Sequence, residues 1–385
     1  MRRTVFTEDH EAFRQTIRTF IDKEVAPGYQ EWERAGLVPR DLYFKLGELG
    51  VFGIGVPEEY GGAGQRGLKY QAVIQEELAR QAVSFGGSSV HSGLCLPYLL
   101  AYGTQEQKQR WLPGFVSGRI MTAIAMTEPG AGSDLAGIRT SAKLSDDGTH
   151  YTLNGAKTFI SGGVLADLVL VVCRTSPTRE DDRRAGLTIL CVDTTSEGYT
   201  VGRKLEKIGL RTSDTAELSF SDVVVPVENR LGTEGEAFSY LTRNLVPERL
   251  GCATAGYAQA SAALGFARDY VRERQVFGKP VASFQNTKFV LAECATEVEA
   301  LQAMVDRGLE LFETDELSVA DAARLKLFST EVAGRVIDKC LQLHGGYGYM
   351  LEYPIARLYA DTRVSRIYAG SSEVMKTIIA KDLGL

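Results

Sequence analysis

The sequence has few of the residues that build metal centres, disulfide frameworks or membrane anchors. Its four histidines show no metal-ligand spacing, and its six cysteines lie far apart without a C-x-x-C pair. These patterns argue against a protein-bound metal and predict reduced, buried thiols in a cytoplasmic protein. No apolar run approaches the roughly 20 residues of a membrane span, and the first residues lack the apolar core of a signal peptide.

The chain also lacks an excess of positive charge. It has 43 basic and 49 acidic residues, which give a formal net charge of −6. A nucleic acid or an anionic membrane therefore gains no electrostatic attraction from the chain as a whole, and neither is expected as a partner. With 385 residues, the chain is long enough for two or three domains.

Helical and strand patterns occupy separate parts of the chain. Residues 1–120 carry apolar residues at helical spacing, residues 121–231 carry short strand-like runs such as "DLVLVVCRT", and residues 232–385 return to long helices. An order without βαβ alternation argues against a doubly wound sheet. The sequence thus predicts an α+β fold, mainly α, with an N-terminal helical domain, a small middle β-barrel or sandwich domain and a C-terminal four-helix bundle.

Three local patterns give narrower expectations. Asn154-Gly155 predicts a hairpin turn between two strands. The charged stretch 177–186 predicts a solvated loop. Residues 62–67, "GAGQRG", match the G-x-G-x-x-G pattern, but "GVPEEYGG" before them is typical of a surface loop rather than a strand, so a dinucleotide-binding Rossmann unit is not expected there.

Four longer motifs occur in a fixed order: "AMTEPGAGSD" at 125–134, "RERQVFGKPVASFQ" at 272–285, "LQLHGGYGYMLEYP" at 341–354 and "RIYAGSSE" at 366–373. Together they resemble the acyl-CoA dehydrogenase family, whose members are flavoenzymes that oxidise the α–β bond of acyl-CoA thioesters. The resemblance covers essentially the whole chain. It implies a helical–β–helical fold, FAD bound without a Rossmann fold, a homotetramer, and electron-transferring flavoprotein as the electron acceptor.

The resemblance also implies which residues contact FAD. Arg274 would hold the pyrophosphate, since a planar guanidinium suits two oxygens, while Phe277 and Gln285 would reach a flavin from another subunit. In the stretch "TFIS", Phe159 stands where the family usually has tryptophan. The implied cofactor contacts are Ile124, Met126, Thr127, Gly132, Ser133, Phe159, Ile160, Ser161, Arg274, Phe277, Gln285, Gln342, Gly345, Gly346, Ser371 and Glu373.

The glutamate that starts the family's chemistry is missing from its usual place. The α carbon of a thioester is a weak acid, so its deprotonation needs a positioned carboxylate and hydrogen-bond donors for the enolate oxygen. Most members carry that carboxylate between the Tyr and Gly of the last loop, where this chain has Ala369. A subgroup that includes long-chain and isovaleryl-CoA dehydrogenases carries it on a different helix, and the matching residue here is Glu248 in "NLVPERLGC".

A site divided between two parts of the chain is therefore implied. Glu248 would remove the α proton and the β hydrogen would pass as hydride to flavin N5, which gives the trans-2-enoyl-CoA. Ala369 would bond the thioester carbonyl through its backbone N–H. Pro247 suits the first position of a new or kinked helix, which would place Glu248 in a first helical turn. The implied substrate contacts are Ser133, Arg249, Tyr368, Ala369 and Gly370.

Other functions fit parts of this pattern. A flavin monooxygenase or oxidase on the same fold often lacks the carboxylate at both positions, a related dehydrogenase acts on an acyl-carrier-protein thioester, and a flavin-free binding protein would be colourless. His91 could line the acyl pocket or be a hydrogen-bonded core histidine. The length and branching of the acyl group are not readable from the sequence.

Overall fold

Helices form the first part of the chain, as their apolar spacing predicted. The computed structural model describes residues 3–65, 67–178 and 182–385, and within them six α-helices precede the first strand. α1 begins after Thr7, whose backbone N–H donates to the His10 ring (3.2 Å), and it buries Ile17. These helices are α1 (Glu8–Phe20), α2 (Tyr29–Ala35), α3 (Asp41–Glu48), α4 (Leu68–Arg80), α5 (Leu96–Tyr102) and α6 (Gln105–Val116).

The middle part is a mixed sheet that surrounds its own core. In the described residues its strand order is β6-β7-β3-β2-β4-β5-β8, with β1 parallel to β4. Side chains from both halves of the sheet, such as Leu153 and Val171, meet in one cluster. The strands are β1 (Thr122–Ala125), β2 (Ser141–Leu144), β3 (His150–Ser161), β4 (Leu168–Arg174), β5 (Leu187–Asp193), β6 (Tyr199–Lys204), β7 (Thr215–Pro226) and β8 (Arg230–Leu231).

The continuous apolar run of β4 is explained by its position between two cores. Leu168, Leu170 and Val172 face the N-terminal helices, whereas Val169 and Val171 face the interior of the sheet. A strand covered on both faces carries no polar alternation. β1 pairs with β4 in the same sheet and is likewise buried along its whole length, and it leads directly into the first of the four motifs.

The predicted hairpin turn is wrong, whereas the described part of the glycine-rich stretch before α4 lies in a loop as expected. Asn154-Gly155 does not form a hairpin turn: both residues lie within β3, where the register against β7 shifts. Asn154 instead exchanges hydrogen bonds with Asp222 on β7 (2.8 and 2.9 Å), and a Cβ on Gly155 would lie 2.6 Å from Thr140 Oγ1. In the G-x-G-x-x-G stretch, residues 61–65 form a turn and loop ahead of α4, whereas Arg66 lies outside the described residues, as do residues 179–181 of the charged stretch.

Long helices build the last part. α7 and α9 pack closely because small residues face each other: a Cβ on Gly256 would lie 2.4 Å from Ser329 Oγ. No helix in the described ranges is both long and apolar enough to cross a bilayer. The helices are α7 (Ala237–Glu273), α8 (Gln285–Glu313), α9 (Val319–Leu343), α10 (Pro354–Thr362) and α11 (Ser372–Asp382), with a small hairpin of β9 (Gln275–Val276) and β10 (Lys279–Pro280) after α7. The helical–β–helical fold is thus confirmed, while the boundaries at residues 120 and 231 stay predictions.

Candidate active site

Glu248 lies in the interior of α7, not in a first turn. α7 begins at Ala237, and Pro247 is the eleventh residue of its 37. The prediction that Pro247 opens a helix is therefore wrong, because packing of α7 against α9 outweighs the lost backbone hydrogen bond at proline. No N-terminal helix dipole acts on Glu248, so its properties come from its surroundings.

The Glu248 side chain is half-buried on α7. Burial raises the pKa of Glu248 to about 7, while the positive charges of Arg249 and Lys326 act in the opposite direction. Burial and the nearby negative charge of Glu248 both raise the pKa values of Tyr98 and Tyr368. These couplings place α5, α7, α9 and the last loop around one carboxyl group.

The last loop has two consecutive residues in the left-handed region, Ala369 (φ +54°) and Gly370 (φ +89°). Such a conformation costs an alanine on the order of 1–2 kcal/mol. In the part of the chain that the structure describes, the backbone N–H groups of both residues have no hydrogen-bond acceptor. A strained turn with free N–H groups can bind an oxygen atom of a ligand.

Two groups hold this loop in place, and a third lies close to it. Lys326, fully buried on α9, donates a hydrogen bond from Nζ to the Gly370 carbonyl (2.7 Å). Ser371 caps α11 by accepting a hydrogen bond from the Val374 N–H (3.4 Å). The guanidinium of Arg249 is also near, since a Cβ on Gly370 would lie 3.8 Å from Arg249 Nη2. Arg249 is itself buried, and its Nε has no partner among the described residues.

A second cluster lies where β1 ends and β3 bulges. The Thr158 N–H donates to the Thr127 carbonyl (2.9 Å), which brings the first motif beside the stretch "TFIS". Phe159 lies in the register shift of β3 with φ +59°, and its side chain is 67% exposed. Ile124 is buried beneath this edge, while Ser161 is half-buried at the end of β3.

A buried ion pair supports this edge from below. Lys157 Nζ donates to Glu128 Oε1 (2.9 Å) and to the Met126 carbonyl (3.0 Å), and its side chain is fully buried. Glu128 also accepts hydrogen bonds from the Arg139 and Thr140 N–H groups (2.8 and 2.9 Å). The turn that presents Thr127, Gly132 and Ser133 is therefore tied to β3 through this pair.

The residues of this edge fit a flavin. An exposed aromatic ring held in a strained backbone is costly in water, and it suits a planar ligand that covers it. Thr127, Ser133 and Ser161 carry hydroxyl groups that could bond to polar atoms of such a ligand. Ser371 and Glu373 lie just after the Ala369–Gly370 turn in the sequence. These groups are the ones that could hold the FAD implied by the motifs.

The other implied cofactor contacts lie far from Glu248. Arg274 follows Glu248 by 26 residues at the end of α7, about 39 Å along a straight helix. This is farther than the ribityl chain between a flavin ring and its pyrophosphate can reach. Arg274 lies over the Tyr347 ring (5.5 Å), and Phe277 is 95% exposed. Exposed residues at this distal end are Arg274, Phe277, Gln285, Gln342, Gly345 and Gly346.

His91 is a core histidine and does not line an open pocket. It is fully buried, with Nδ1 2.9 Å from Thr122 Oγ1 and Nε2 3.2 Å from the Phe115 carbonyl. Its ring stacks on Phe115 at 3.5 Å. Burial lowers the pKa of His91 to about 3, so the ring is neutral at physiological pH. Both nitrogens already have partners, which leaves none for a substrate.

Sequence reasoning missed Lys326, Tyr98 and the Glu128–Lys157 pair. Lys326 carried a usable signal, because it lies in phase with the buried residues Ala322 and Ser329 on α9. A lysine on the apolar face of a helix needs a partner inside the protein. The other residues carried no comparable signal, since their partners come from distant parts of the chain.

Comparison with known proteins agrees with the motifs. The N-terminal, middle and C-terminal domain models of acyl-CoA dehydrogenase match residues 7–119, 123–223 and 235–384. The chain is 43% identical to the mitochondrial long-chain specific acyl-CoA dehydrogenase of Sus scrofa, covering 99% of this chain and 88% of that protein. It is 36% identical to the CarC subunit of a caffeyl-CoA reductase–Etf complex of Acetobacterium woodii, covering 97% of this chain and 98% of that protein.

Solved structures give the same result. The acyl-CoA dehydrogenase of Geobacillus kaustophilus superposes with a TM-score of 0.95 at 46% identity, over 99% of both chains. An acyl-CoA dehydrogenase of Bacillus anthracis complexed with FAD superposes with a TM-score of 0.90 at 31% identity, over 98% of this chain and 68% of that one. The chain therefore belongs to the acyl-CoA dehydrogenase family, and it is an FAD-dependent oxidoreductase.

Proposed function

We propose that the protein oxidises an acyl-CoA thioester to the trans-2-enoyl-CoA with Glu248 as the base, as in the subgroup whose glutamate is relocated. The observation that carries this proposal is the position of Glu248: its carboxyl group lies close enough to Tyr368, the neighbour of Ala369, for its charge to raise the pKa of that tyrosine, whereas the methyl side chain of Ala369 cannot accept a proton. The 43% identical relative is named as long-chain specific. A long-chain acyl-CoA is therefore the first substrate to test.

Ala369 and Glu248 would have different roles in the deprotonation of the α carbon. The Ala369 N–H would donate to the thioester carbonyl, which makes the α proton more acidic and stabilises the enolate oxygen. Glu248 would take that proton at its carboxylate, and burial favours the neutral carboxylic acid that results. Arg249 and Lys326 place positive charge near the developing negative charge. FAD, when bound, accepts the β hydrogen as hydride.

The raised pKa predicts a pH dependence of the reaction. Glu248 acts as the carboxylate, so kcat/KM for an acyl-CoA should fall about tenfold per pH unit below the pKa of about 7 and level off above it. Anaerobic stopped-flow measurement of flavin bleaching between about pH 5.5 and 9 checks this dependence. A profile that is flat down to about pH 5.5 would indicate an ordinary carboxylate or another base.

We infer that Phe159, with Thr127 and Ser161, covers the flavin ring. Phe159→Ala should weaken FAD binding about three- to tenfold, because a stacked aromatic contact is lost. The melting temperature of the apoprotein should stay unchanged, since the side chain is 67% exposed. Titration of apoprotein with FAD by flavin fluorescence measures the affinity. Phe328→Ala, on the exposed side of α9, is the matched control, and equal affinities in both variants would contradict the assignment.

The distal residues serve a second copy of the chain in this proposal. Arg274 and Phe277 lie too far from Glu248 to share one flavin with it in the same subunit. The proposed homotetramer would bring them to the cofactor of a neighbour, and size-exclusion chromatography with light scattering tests it. Electron-transferring flavoprotein is the proposed acceptor, which the relative named as part of an Etf complex supports.

The direct test is anaerobic mixing of yellow protein with a panel of thioesters. Bleaching by acyl-CoAs of one chain-length range, with formation of the 2-enoyl-CoA, is the expected result. Faster bleaching by acyl-carrier-protein thioesters would point to the biosynthetic alternative. Oxygen consumption with a hydroxylated product would instead identify a monooxygenase. A cytoplasmic location stays a proposal.

A further inference from the structure

The proposed reaction uses the positive charge of Lys326 but gives no role to its hydrogen bond. Its side chain is fully buried on α9, where a lone ammonium is costly. Its Nζ donates a hydrogen bond to the Gly370 carbonyl (2.7 Å), so the charge points at the loop that carries Ala369. A surface lysine would serve stability equally well without this desolvation cost.

Titratable groups on α7, α9 and α11 face this ammonium. Glu248 and Cys252 lie on α7 together with the cation of Arg249, Glu331 lies one turn further along α9, and Glu373 lies in the first turn of α11. Burial lowers the pKa of Lys326, and the negative charge of Glu248 acts against that effect. The ammonium in turn favours the ionised form of Glu248.

The geometry points to Lys326 as a positioning residue that links the two halves of the divided site: it holds the Gly370 carbonyl, which fixes the strained turn that aims the Ala369 N–H, and it places a positive charge near Glu248. This inference rests on the proposed function. Lys326 contributes a hydrogen bond and a positive charge, and variants that remove one or both of them distinguish the two contributions.

Three substitutions provide the test. Lys326→Met removes the charge and the donor, Lys326→Gln removes the charge and keeps a donor, and Lys326→Arg keeps both. Without the cation, the apparent pKa in the kcat/KM profile should rise by about one unit in the Met and Gln variants, which lowers kcat/KM about fivefold at pH 7. The Arg variant should keep the profile of the unchanged enzyme.

Ligand affinity measures the contribution of the hydrogen bond to Gly370. A trans-2-enoyl-CoA has the thioester carbonyl, whereas an alkyl-CoA thioether of equal length does not. Lys326→Met should lose about tenfold in affinity for the enoyl-CoA relative to the thioether, because the Ala369 N–H is no longer aimed. Lys326→Gln should keep most of this preference. Lys339→Met, which removes a half-exposed lysine on the same helix that pairs with Glu293, should change neither readout.

The outcomes are distinguishable from failure of the proposed function. An unshifted profile and an unchanged affinity ratio in Lys326→Met would overturn the inference. If that variant does not fold, an unshifted profile in Lys326→Gln overturns it instead. If Glu248→Gln, measured in parallel, retains the full reduction rate, the proposed function itself is wrong.

Discussion

Replacing Glu248 by glutamine is expected to lower the rate of anaerobic flavin reduction by an acyl-CoA about 100- to 10,000-fold, the usual range for loss of a general base. Glutamine has nearly the same shape but cannot accept the α proton. No carboxylate is present at the position where most family members carry the base, because that position is Ala369. Affinity for the enoyl-CoA product should change little, because Arg249 and the Ala369 N–H remain. Stopped-flow absorbance and product titration measure the two quantities.

Two variants bracket this expectation. Glu248→Asp keeps a carboxylate but withdraws it by one methylene, so it should retain a reduced, measurable rate. Glu310→Gln, an exposed glutamate on α8 that pairs with Arg307, should behave like the unchanged enzyme. A Glu248→Gln enzyme that reduces its flavin nearly as fast as the Glu310→Gln enzyme would show that the base lies elsewhere.

Replacing Glu128 by alanine should lower the free energy of unfolding by about 3–5 kcal/mol, because it leaves the buried ammonium of Lys157 without its counter-charge. The N–H groups of Arg139 and Thr140 also lose their acceptor. Hydrogen bonds from Thr140 and Lys157 lower the pKa of Glu128, although burial raises it. The stability that depends on the ionised form is therefore present at neutral pH and is lost on acidification through that lowered pKa. Denaturant unfolding of the apoprotein measures the effect.

A double-mutant cycle isolates this ion pair. Replacing both partners, as in Glu128→Met with Lys157→Met, should recover part of the loss, since no unpaired buried charge remains. Asp134 lies in the same motif as Glu128 and forms an exposed ion pair with Arg183. Asp134→Ala breaks this pair and should lower the free energy of unfolding by less than about 1 kcal/mol. Equal losses for Glu128→Ala and Asp134→Ala would contradict a special role of the buried pair.

The order of the segments was readable from the sequence because helical and strand periodicities occupy different stretches of it. The apolar run of β4 and the long pattern of α9 both became elements where predicted. Pro247 and Asn154-Gly155 misled for one shared reason: local preference favoured a break, while packing around each residue favoured continuation. α7 runs past its proline, and β3 accommodates the Asn-Gly pair as a bulge stabilised by Asp222.

Residues of the candidate site could be predicted from the sequence only where they belong to a family motif. Glu248 and Ala369 could be paired by resemblance, although nothing in the local sequence joins them. The environment of Glu248 could not be predicted, because burial depends on α5, α9 and the last loop together. Lys326 was missed for the same reason, as its acceptor at Gly370 is distant in the chain. The distance between Glu248 and Arg274 could not be predicted either, because it depends on the length of the continuous helix α7.

The central claim is that Glu248 removes the α proton, and isotope exchange measures that step directly. A thioester with a quaternary β carbon has no β hydrogen, so it can lose and regain its α protons but cannot be oxidised. In D₂O, the enzyme should incorporate deuterium at the α carbon of such an acyl-CoA, and Glu248→Gln should reduce the rate at least about 100-fold. Deuterium incorporation by Glu248→Gln at the rate of the unchanged enzyme would contradict the claim.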